Sequence, residues 1–129
     1  MTQETLSTTL NITSEKSSWL RGIEFYNDEI KIMRKRLGEV SDANTSQDLK
    51  RKVEQFQNRF NVHEEQLRRL RHNVKNHALH IASDFESHHG QLERTTIYEH
   101  DSMRDEYINT EKLFNEMRHD FNRFLSKYL

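Results

Sequence analysis

A chain of 129 residues, 33% hydrophobic and 32% charged with a net charge of −1, can bury only a narrow apolar stripe and has no global field to draw nucleic acid or an anionic membrane. Three glycines, no proline and no cysteine exclude a turn-rich sheet protein, a disulfide framework and thiolate chemistry. No apolar run is long enough to span a bilayer, the opening "MTQETLSTTLNIT" lacks the basic region of a secretory leader, and a cytoplasmic location is expected.

Residues 1–13, rich in Thr and Ser without sustained periodicity, read as a flexible tail, leaving 14–129 as one helical domain. A first helix is predicted from about Ser14 to Leu37. Its seam runs Trp19, Ile23, Tyr26, Ile30, Met33 and Leu37, alternating steps of four and three as a coiled-coil-like bundle requires. Gly38 is placed to end it, and Thr45 or Ser46 to cap the next helix. The second helix keeps the same seam through Leu49, Val53, Phe56, Phe60, His63, Leu67, Leu70 and Val74. Beyond Val74 the best apolar continuation is Ala78, Ile81, Phe85, His88 and Leu92. That choice makes the step from 74 to 78 a stutter. Gly90 is a stop signal, and "TIYE" matches a capping box with Thr96 as N-cap and Glu99 at N3. The third helix carries Met103, Tyr107, Thr110, Phe114, Met117, Phe121, Phe124 and Tyr128.

At 1.5 Å per residue these helices span about 35, 65 and 48 Å, and short loops make neighbours antiparallel. Folding the first helix back about residue 43 and the third about residue 94 puts Trp19, Leu67 and Phe121 in one layer. The expected fold is therefore all-α: an antiparallel three-helix bundle with a long second helix and a protruding arm from about 74 to 114. A compact up-down four-helix bundle, with the second helix broken near 76–90, is the alternative. The seams, with Trp19 in the first helix, are similar to a spectrin-type three-helix coiled coil. That resemblance implies architecture and no function.

An uncovered arm leaves Ala78, Leu79, Ile81, Ala82, Phe85 and Ile108 as an apolar stripe, which suits an interface with a second copy or a partner helix. Histidine density supplies the rival reading, because five of the eight histidines fall between residues 72 and 90. His77, His80 and Asp84 lie at i, i+3 and i+7 on one flank of the second helix, with Glu111 and Glu106 expected opposite. Imidazoles with carboxylates suit Zn²⁺ or another divalent transition metal. His88, His89, His100 and Asp101 form a second candidate cluster at the hairpin tip. His88 facing His100 would repel if both were protonated, so acid should loosen the arm. His63, on the seam, is expected to be buried with a hydrogen-bond partner.

Two Glu-x-x-His motifs, Glu86/His89 and Glu116/His119, resemble those of di-iron carboxylate bundles. The expected register separates them by about 20 Å, and Glu116 and His119 fall off the seam. Basic clusters at Lys50–Lys52 and Arg68–Arg71 face charges that alternate in sign across neighbouring helices, so nucleic acid is not an expected partner. Phosphate loops and nucleophile motifs are missing, so catalysis is not the expected role. The leading expectation is a non-enzymatic helical bundle, a homodimer or a docking site for a helical partner, with no cofactor. The alternative is a metal-binding helical protein.

Overall fold

The computed structural model describes residues 3–90 and 92–128. Three helices, α1 (Gln3–Ala43), α2 (Gln47–Ser87) and α3 (Arg94–Ser126), run up, down and up, with no strand among the described residues. The all-α three-helix bundle read from the seams is the fold of the protein, and α2 passes unbroken through residues 76–87. Four-helix packing is therefore not adopted.

Helix ends differ from the expected ones, and the differences move everything else. α1 begins at Gln3, so residues 3–13 are helical where a tail was expected, and Ile12 is buried. It also runs past Gly38 to Ala43, because Val40 continues the seam into the core. Only residues 44–46 link it to α2, whose Leu49 N–H donates to the capping Ser46 Oγ at 3.3 Å. α2 ends in a Schellman-type turn: the Gly90 N–H reaches back to the Phe85 carbonyl at 2.8 Å, with φ at 53° for His89 and 87° for Gly90. α3 starts at Arg94 with Glu93 as its N-cap, so Thr96 is not the cap but a fully buried residue inside the first turn.

These ends set a register different from the expected one. Arg34 meets Glu64, Arg59 meets Asp120, Phe60 packs on Phe121 and His77 meets His100. The chain thus folds back about residues 48 and 89, each some five positions from where sequence reading put it. Partners shift by about ten residues, or ~15 Å along the axis. Trp19 packs on His100 and Tyr107 instead of lying level with Leu67 and Phe121. α1 therefore covers the hairpin up to the layer of Ile12, Glu15, Ile97 and His100, and no protruding arm extends over 74–114.

The seam of α2 has no stutter either. Its buried positions continue from Val74 to His77, Ile81 and Asp84 in unbroken heptads, and α3 begins the same pattern with Thr96 and His100. The two ends of the core consequently differ in chemistry. Phe56, Phe60, Phe121 and Phe124 close one end with ring centroids 5.0–6.3 Å apart. At the other end His77, Asp84, Thr96 and His100 occupy positions that a coiled coil gives to apolar side chains.

Candidate metal centre

Buried polar side chains mostly make their hydrogen bonds, and at the polar end of the core two histidines do so through a chain of contacts that crosses all three helices. His77, from α2, places Nε2 at 3.2 Å from Nδ1 of His100, on α3, with the two rings inclined by 25°. His100 is 1% exposed, and its Nε2 lies 3.3 Å from Glu15 Oε1, on α1. Trp19 covers the outer face of the His100 ring at a centroid distance of 4.7 Å. Glu15 is held in turn by a two-pronged bond from Arg104, whose Nε donates to Oε2 at 2.6 Å. The Arg104 guanidinium holds the Glu15 carboxyl below the usual carboxylate range, and Glu15 pushes Arg104 up. Burial pushes both His77 and His100 below the ordinary histidine value, which keeps both rings neutral at pH 7.

The second nitrogen of His77 faces outward, into the shallow groove between α2 and α3. There Nδ1 of His77 stands 3.9 Å from Glu99 Oε2, and Nδ1 of His80 stands 2.9 Å from the same oxygen. The three ligating atoms lie within 4.8 Å of one another. In a tetrahedral zinc site with bonds near 2.0–2.1 Å, ligand atoms are about 3.3 Å apart. The two separations to Glu99 Oε2, 2.9 and 3.9 Å, bracket that edge. Asn73, Asn76, Thr95, Tyr98, Ser102, Met103 and Glu106 also line the groove.

His77 and His80, paired in the sequence reading, are thus brought together, but their carboxylate is Glu99. Asp84 and Glu111 do not join them. Glu111 lies toward the middle of the bundle, where it accepts a 2.6 Å hydrogen bond from Tyr26 Oη; burial first, and then this bond, raise the Tyr26 pKa. Asp84 turns toward the hairpin, where Oδ2 accepts from the Glu93 N–H at 2.8 Å. That bond, supported by the nearby Thr96 hydroxyl and by His88, holds Asp84 below the usual carboxylate range.

The second expected cluster separates. His100 belongs to the His77 network. Asp101 receives a 2.9 Å bond from Arg104. His89 is exposed in the turn. His88 joins Asp84 and Glu93 instead: Nδ1 is 2.8 Å from Asp84 Oδ1, and Nε2 is 2.9 Å from Glu93 Oε1. Both ring nitrogens face carboxylates on opposite sides of the ring, the geometry of an imidazolium clamp. The Asp84 carbonyl and the charges of Asp84 and Glu93 raise the His88 pKa accordingly. His88 and His100 therefore do not oppose each other. His63 also differs from expectation. Its ring is buried against the Phe114 edge at 5.9 Å, and its Nδ1 has no hydrogen-bond partner among the described residues.

Of the apolar stripe, Ile81 is in the core, Ala78 and Phe85 are half-buried, and Leu79, Ala82 and Ile108 are exposed. Glu86, Glu116 and His119 all face solvent, which agrees with setting the di-iron pattern aside. No helix among the described residues is long and apolar enough to cross a membrane.

Glu99 was missed because "TIYE" assigned it to a cap. The available signal was heptad phase: carrying the seam through His100 puts Glu99 beside it, facing the flank of α2 that bears His80. No family model, curated protein or solved structure matches the chain.

Proposed function

We propose that this protein is a metal-binding helical bundle that takes one divalent transition ion, Zn²⁺ by ligand type, between His77, His80 and Glu99. The observation that carries this reading is the convergence of two imidazole nitrogens and a carboxylate oxygen, from two helices, within 4.8 Å of one another. Two nitrogens and one oxygen suit zinc better than calcium or magnesium, which take oxygen ligands. Three protein ligands leave a fourth position for water or a small anion from the groove. Titration of chelator-treated, tag-free protein with Zn²⁺, followed by calorimetry, tests the assignment. One ion should bind per chain, and His77→Ala or His80→Ala should each weaken it by at least tenfold. Unchanged zinc uptake in both variants would sink the assignment.

The exposure of Leu79 (71%) and Ile108 (54%) favours a second reading, in which a second copy or a partner helix docks there. The division of the stripe, with Ile81 turned inward, leaves it less apolar area than the sequence implied. Sedimentation of wild type and Leu79→Glu separates the readings: a dimer converted to monomer supports docking, and a monomeric wild type removes self-association.

A further inference from the structure

We infer that Glu15 and His100 are positioning residues for the His77/His80/Glu99 centre, setting the tautomer of His77 so that its Nδ1 lone pair is free for the ion. This rests on the metal reading above and extends it to α1, which contributes no ligand. The argument begins at Glu15, whose ionised carboxylate can only accept hydrogen bonds. His100 Nε2, 3.3 Å from Glu15 Oε1, must therefore carry its ring's proton. His100 is 1% exposed and the Glu15 charge is already paired with Arg104, so the ring is held as a neutral imidazole, whose single N–H leaves Nδ1 as an acceptor. His77 Nε2, 3.2 Å away, must then be the donor. It follows that His77 Nδ1 is bare, and that it is aimed at the point where His80 Nδ1 and Glu99 Oε2 converge.

Without an ion, this arrangement sets a lone pair 3.9 Å from a carboxylate oxygen, an electrostatic mismatch that a bound cation reverses. Metal-ligating histidines commonly donate their other N–H to a fixed acceptor, which sets ring orientation and raises ligand basicity. Here that acceptor is itself a histidine, and the chain of bonds ends on a carboxylate that Arg104 holds in place. Trp19 prevents the His100 ring from turning away, since its indole lies against the ring at 4.7 Å. The path joins all three helices, so loss of α1 contacts at Glu15 should be felt at an ion that α1 never touches.

Two measurements on the full chain test this. In metal-free wild type, ¹⁵N shifts of the imidazoles should show His77 and His100 both protonated at Nε2. Zn²⁺ titration of Glu15→Ala should then show affinity about 10- to 100-fold below wild type, with helix content unchanged by circular dichroism. His77 in that variant should become a mixture of tautomers, which a purely structural role for Glu15 would not produce. Nδ1-protonated His77 in the wild type would overturn the inference, even if Glu15→Ala failed to fold. Glu15→Ala zinc affinity within about twofold of wild type would overturn the positioning role and leave the centre standing. Failure of wild type itself to bind Zn²⁺ would remove the centre and, with it, this role.

Discussion

Replacing the buried histidine pair with leucine tests why polar residues stand at seam positions. In His77→Leu alone, a side chain 5% exposed becomes apolar, gaining about 2 kcal/mol from burial. The same change removes the bond to His100, worth about 1 kcal/mol, and leaves His100 Nδ1 buried without a donor, which costs about 2 kcal/mol more. The single variant should therefore be less stable than wild type by about 1 kcal/mol. In His77→Leu/His100→Leu both partners are apolar, so no orphan remains and two side chains contribute about 4 kcal/mol. Against this stand the lost inter-ring bond and the lost contact with Glu15, together about 3 kcal/mol. Glu15 itself stays satisfied by Arg104 and is partly solvated. The double variant should thus be about 1 kcal/mol more stable than wild type, roughly a 4 °C rise in melting temperature for a chain this size. Thermal unfolding in chelator, followed at 222 nm, measures both. A double variant less stable than the single one would refute the reasoning, because the histidine pair would then be structural cement and not a stability cost associated with a site.

Acid should weaken the bundle. The folded-state values of His63, His77 and His100 lie below the ordinary one, so stability present above about pH 6.5 is lost as pH falls through those lowered values. His88 has the opposite sign: its contribution is complete below about pH 6.5 and fades as pH rises through its raised folded value. Urea unfolding at pH 5.5, 7 and 8.5 should give a wild type weakest at 5.5, and a deficit for His88→Ala largest at 5.5; a wild type strongest at 5.5 contradicts this. The two mid-helix glycines of α1 should respond oppositely to alanine. A Cβ at Gly22 would overlap the Tyr107 hydroxyl, whereas one at Gly38 meets nothing within 4 Å. Gly38→Ala should gain up to about 1 kcal/mol from helix propensity, and Gly22→Ala should be destabilising; equal melting shifts would show that Tyr107 does not rest on Gly22.

While the continuity of α2 through residues 76–90 stayed open, the sequence by itself determined that there are three helices and which side of each is buried over most of its length. Those features follow from local periodicity, and Ile23, Ile30, Phe60, Leu67, Phe114 and Phe121 all stand in the core as their spacing requires. Likewise, His77 and His80 at i and i+3 could be read as one ligand pair because a helix fixes their relation. Only the tertiary structure decided which carboxylate stands beside the two imidazoles. Register depends on where helices end, and Gly38 is an ambiguous signal: its poor helix propensity costs about 1 kcal/mol, which burial of Val40 two residues along can offset. Moving each fold-back point by some five residues replaced Asp84 and Glu111 with Glu99, and brought Trp19 and Glu15 onto His100. The polar seam stayed hidden for a related reason. An apolar pattern can be recognised one helix at a time, whereas whether a core-position histidine meets a hydrogen-bond partner on another helix, as His77 does and His63 Nδ1 does not, is known only once the helices are packed.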